Sequence, residues 1–149
     1  MKIGVVSPFG RGWDAFYDGV LQKRNALQQH PPLVHLPQDL AGISPHKGFR
    51  QFLKQRKAAK LFTPAARLAL DAAGQALEGE SLPEPTNIAL FVAVGREPPD
   101  EGEAEAALVA SERNGRLDPK LLATKGRDLY PPLLPLKTLP NMILAHISI

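Results

Sequence analysis

Along the chain, short continuous apolar runs alternate with apolar positions at helical spacing. Ile3, Gly4, Val5 and Val6 form a run that predicts a short buried strand, closed by Ser7-Pro8-Phe9-Gly10-Arg11-Gly12, whose Pro and Gly mark a turn. From there Trp13, Phe16, Tyr17, Val20 and Leu21 fall at i, i+3, i+4, i+7 and i+8, which predicts a helix with one buried stripe. Residues 30–46 carry His30-Pro31-Pro32, Pro37, Gly42 and Pro45, so they predict an ordered loop with at most a short extended piece at Leu33 to Leu36.

The next periodic stretch is LFTPAARLALDAAGQALEG. Thr63 stands as its N-cap and Pro64 at the first helical position, where a missing N–H costs nothing. Ala65, Leu68, Ala69, Ala72, Ala73, Ala76 and Leu77 make a narrow apolar face that permits close approach of a neighbour, and Gly79 is the expected stop. In NIALFVAVG, Asn87 to Gly95, every position from Ile88 to Val94 is apolar, as in a central strand covered on both faces of a parallel sheet. The order is strand, helix, helix, strand. Acidic residues from Glu97 to Glu105 lead into EAEAALVASERNG, read as a surface helix ending near Asn114-Gly115. A Pro-rich irregular stretch through Pro131, Pro132 and Pro135 follows, and a last helix begins near Pro140. The expected fold is therefore α/β, a mostly parallel sheet flanked by helices, in one domain over residues 1–149.

Composition narrows the function classes. With 149 residues, 44% of them hydrophobic, the chain can bury one sizeable core. A net charge of +3 suits an acidic partner but falls short of a dedicated nucleic-acid binder. The sequence has no cysteine, which removes thiolate nucleophiles, thiolate zinc sites and disulfides. It has no run long enough for a membrane span or a secretory signal, so the reading is cytoplasmic and soluble, with no membrane partner. His30, His35, His46 and His146 lack metal-ligand spacing, and Gly10-Arg11-Gly12 lacks the lysine of a phosphate loop, so no metal or cofactor is expected. Residues 47–60 hold Lys47, Arg50, Lys54, Arg56, Lys57 and Lys60 without one acid, interleaved with Phe49, Phe52 and Leu53. The plain reading of such a run is a solvated amphipathic face.

Four segments together resemble the opening part of the β-ketoacyl synthases. GVVSPFGRGWDAFYDGVLQKRNAL is similar to their first strand, G-x-V-S-P-x-G turn and following helix. LFTPAARLALDAAGQAL resembles the family's Ala-rich helix, NIALFVAVG its next strand, and LPNMILAHISI its N-M-x-x-x-H-x-S-I helix. The resemblance implies a thiolase-like fold, of which this chain would form only the opening part. In that family the last helix leads into an elbow bearing the nucleophilic cysteine, and two histidines further on assist decarboxylation. This sequence supplies neither, and both of its ends look clipped against the family pattern.

The family chemistry is a decarboxylating Claisen condensation of an acyl thioester with malonyl-acyl carrier protein, in fatty-acid or polyketide synthesis. A chain without the thiolate is expected to be inactive alone. Three readings follow: a subunit of a split synthase completed by a second chain, a non-catalytic homodimer binding acyl carrier protein or another synthase subunit, or a truncated remnant. The resemblance assigns carrier-protein docking to Lys54, Arg56, Lys57 and Lys60. It assigns a dimer interface or acyl pocket to Leu133, Leu134, Asn141 and Met142, with core packing as the bland alternative. Open strand edges add an expectation of self-association or a partner chain.

Overall fold

The computed structural model describes residues 2–33, 37–54, 56–81, 89–95, 102, 104–139 and 141–148. These gather into two compact units, one reaching to Phe91 and resuming at Ile143, the other running from Val92 to Met142. Helices dominate both. Among the described residues the strands form three two-stranded sheets, all antiparallel.

In the first unit, β1 (Val6–Ser7) turns sharply into β2 (Gly10–Arg11), pairing Val6 with Arg11 and Ser7 with Gly10. The Ser7 hydroxyl accepts from the Phe9 N–H at 3.2 Å and fastens the turn. Helix α1 (Trp13–Leu21) follows where the spacing places it, but its orientation corrects the expectation. Its buried residue is Gly19, packed under the Phe9 ring, while Trp13 is 43% and Leu21 61% exposed, with Tyr17 and Val20 also outward. A bare Cα lets the aromatic ring close on the helix, and that contact wins the inward face.

The loop expected over residues 30–46 is also corrected. β3 (Leu27–Gln29) pairs with β4 (Leu40–Gly42) in a hairpin, and Pro31–Leu33 form a 3-10 turn between them. Leu33 is thus in a turn rather than extended, and residues 34–36 lie outside the described residues. Five of the six strand positions are exposed, so no apolar alternation announced this hairpin.

Helix α2 (Pro64–Leu77) is the centre of the unit. Thr63 caps it, its hydroxyl accepting from the Ala66 N–H at 3.2 Å, and Gly79 ends it at φ 74°. The deepest positions are Ala66, Leu70 and Asp71, whereas the expected face is half-buried and Leu77 is exposed. Close approach does occur. Gly4 lies on the backbone of Ala72 and Ala76, where a Cβ would overlap the Ala72 carbonyl. Asp71, 1% exposed, accepts from Arg11 Nε at 2.7 Å and from Gln75 Nε2 at 3.1 Å, and the Gln75 amide oxygen accepts from the Val5 N–H at 3.3 Å. One buried carboxylate thereby ties the β1–β2 hairpin to α2.

The apolar run from Ala89 to Gly95 forms no strand. Phe91 is 91% exposed, and Leu90 and Val94 are also exposed; Asn87 and Ile88 lie outside the described residues. A central strand needs a neighbour on each side, and none is offered among the described residues. The mostly parallel sheet is accordingly not found among the described residues.

In the second unit α3 (Glu105–Ala110) ends before a hairpin of β5 (Glu112–Arg113) and β6 (Arg116–Leu117). Asn114 and Gly115 have φ 55° and 74°, the signs a type I′ turn requires, so they close a hairpin rather than a helix. The chain then stays helical through α4 (Pro119–Leu121), a π-helical turn (Leu122–Gly126) and α5 (Arg127–Leu129), where irregular structure was expected. Asp118 caps this stretch by accepting from the Lys120 and Leu121 N–H groups. Buried Ser111 donates to the Ala107 carbonyl at 2.6 Å, and Gly126 fits against its hydroxyl with no room for a Cβ. Helices α6 (Leu134–Thr138) and α7 (Asn141–Ser148) complete the chain.

Replacing Arg11 by Met leaves a buried carboxylate without its cation and should cost about 2–3 kcal/mol, below the usual figure for a buried pair because Arg11 itself reaches solvent. Asp71→Asn should cost less, since the freed guanidinium can hydrate. Urea unfolding of both variants checks that order. Gly126→Ala should lower stability by at least about 1 kcal/mol through overlap with Ser111, and Ser111→Ala in the same chain should restore part of it.

Candidate docking surface

The basic segment folds as two 3-10 turns, Gly48–Phe52 and Arg56–Leu61, rather than a single amphipathic helix. In a 3-10 turn residues three apart eclipse. Phe49 and Phe52 therefore share one edge and point toward α2, with Phe49 buried and Phe52 lying on Gly74. Gly48 packs on the Asp71 carboxylate, whose Oδ2 has no hydrogen-bond donor among the described residues. Phe62, also buried, closes the segment, its ring 5.7 Å from that of Phe49. The Arg67 guanidinium stands 5.9 Å over the Phe49 ring.

With its aromatics inward, the segment turns its cations outward. Lys47, Arg50, Lys54, Arg56, Lys57 and Lys60 are all exposed, and among the described residues none has an ion-pair partner. Lys57 and Lys60, three apart, line up along one side. The result is a cationic surface on an aromatic foundation, whose field reaches about a Debye length, roughly 10 Å at 0.1 M salt.

The residues of the second expected site differ in burial. Leu134 is buried in the second unit, while Leu133 and Asn141 are exposed and Met142 is half-buried. Leu134 thus takes the core role that was the alternative reading. Sequence reasoning passed over Arg11, Asp71 and Arg67, because isolated charges at those positions look like surface residues until the packing is known.

His146, on α7, lies tilted against Phe62 with ring centroids 4.0 Å apart, and its buried Nε2 has no partner among the described residues. Burial pushes its pKa below the usual 6.5. Among the described residues no three His, Asp or Glu side chains are grouped to hold a metal ion. No described helix is long and apolar enough to cross a membrane. In comparison with known proteins, no family model matches the chain, and neither does any curated protein or solved structure.

A histidine whose folded-state pKa lies below its unfolded value binds its proton more readily when unfolded. Its contribution to stability is present above pH 6.5 and is lost as pH falls through the depressed pKa. His146→Leu should flatten the stability profile in that window. Urea midpoints of both proteins, measured as pH is lowered from 7.5, check it.

Proposed function

We propose that this chain is a β-ketoacyl synthase-like component, inactive alone, that docks an acidic acyl carrier protein through Lys54, Arg56, Lys57 and Lys60 and joins a complementary synthase subunit. The observation that carries the docking is the unpaired cationic segment fixed by Phe49 and Phe62. A carrier protein with an acidic recognition helix has the matching charge. These 149 residues hold no cysteine, so no thiolate for acyl transfer comes from them. A second chain would bring it.

The exposed side chains of Leu90, Phe91 and Val94 support a complementary subunit in preference to a self-sufficient protein. An uncharged apolar segment of this kind invites pairing by another strand. In the assembled protein it would become the central strand of a thiolase-like parallel sheet. Condensation of an acyl thioester with a malonyl thioester would then belong to the assembly.

Titration with a purified acyl carrier protein tests the docking. Binding should weaken as salt is raised, and the combined reversal of Lys54, Lys57 and Lys60 to Glu should weaken it at least about tenfold, or ~1.4 kcal/mol. These side chains are exposed, so the fold should survive. Binding that ignores both changes would remove the proposal, as would an acyl adduct found on this chain by mass spectrometry.

A further inference from the structure

Helix α1 carries a second surface, of opposite character. Trp13, Tyr17, Val20 and Leu21 fall on one side of the helix and all are exposed, with the Trp13 and Tyr17 rings stacked at 5.9 Å. The opposite side is the one that packs, through Gly19 under Phe9. Asp14 and Asp18 are exposed and follow Trp13 and Tyr17 by one residue each, so they run along one edge of the stripe. Among the described residues neither has an ion-pair partner. Past the helix end Lys23 is exposed, and Arg24 is turned away to the Ala15 carbonyl and the Phe9 ring.

The apolar area of the four side chains is on the order of 400 Å², comparable to the largest patch on an ordinary monomer. A standard interface covers about 800 Å² per partner, so any occupant that buries this stripe must also cover its edge. The edge is acidic. A second copy fits it badly. A two-fold axis that sets two α1 helices face to face and antiparallel maps Asp14 and Asp18 of both copies to the same side, where like charges meet. A parallel two-fold brings like helix ends together instead.

We infer that the α1 stripe is a docking surface for a different polypeptide that presents an apolar face edged with Lys or Arg. The site is on a different element from the cationic segment and has the reverse polarity. One partner therefore cannot satisfy both by charge, and the two surfaces select different partners.

Trp13 is the chain's one tryptophan, so its emission reports this surface directly. The probes are two synthetic helical peptides of equal length without tryptophan, each with leucines at i, i+3, i+4 and i+7, one flanked by lysines and the other by glutamates. The lysine peptide should shift Trp13 emission to the blue and saturate, and the glutamate peptide should not. Tyr17→Ser with Leu21→Ser should weaken that binding at least tenfold, and Asp14→Lys with Asp18→Lys should reverse the preference. Reversing Lys54, Lys57 and Lys60 should leave the Trp13 response unchanged, which separates this site from carrier-protein docking. Equal response to both peptides, no response to either, or no reversal with the charge swap overturns the inference. A homodimer in sedimentation that Leu21→Lys dissociates overturns it in favour of a second copy.

Discussion

The first unit depends on a single buried charge. Asp71 stands in the middle of α2 with almost no access to water, and a carboxylate there is tolerable only with hydrogen bonds around it. Arg11 and Gln75 supply them, and each brings a distant piece of chain: Arg11 carries the β1–β2 hairpin, and Gln75 fixes the strand entry through Val5. Gly48 then closes on the free oxygen and starts the cationic segment at a defined place. An apolar residue at position 71 could fill the volume but could not say which hairpin belongs there. The gain is positional, because a bond 2.7 Å long fixes register where dispersion only rewards contact.

That constraint explains why the cations point outward. Phe49 and Phe62 are drawn in by burial and Phe52 is half-buried on Gly74, so the short 3-10 turns leave only the solvent side for Arg50, Lys57 and Lys60. Arg67 shares the foundation instead, above the Phe49 ring. The surface is thus a consequence of the aromatic packing beneath it. Ablating Phe49 would disperse the charges without removing one.

Features set by local chemistry were legible in the sequence. Thr63, Pro64 and Gly79 bound α2 as read, because caps act within one turn of the chain. The extent of α1 followed from its spacing, but the inward side did not. Periodicity says which residues share a side, and Gly19 decided which side was buried by admitting Phe9. The Asn114-Gly115 turn was visible only as a stop, since its arms of two residues each are too short and too charged to show alternation. The central strand expected at Asn87 to Gly95 was the least local prediction, since it required neighbours that apolar composition cannot supply. In the candidate site, the cations and the aromatics between them were readable, whereas Asp71 and Arg67 acquire meaning only from what packs on them.

The two exposed surfaces of the first unit follow different physical rules. On the proposed reading the cationic segment would act at a distance, steering an acidic partner and weakening with salt, and its exposed side chains would need little rearrangement to be used. The α1 stripe acts only on contact, because apolar burial has no range, and the acidic residues beside it choose among the partners that arrive. Like charges along Asp14 and Asp18 also discourage the chain from covering the stripe with itself, so an aromatic surface can stay exposed without becoming a site of self-association. Charge on one surface recruits, and on the other it restricts. On the two proposals together, the chain would take one acidic partner and one partner edged with basic residues.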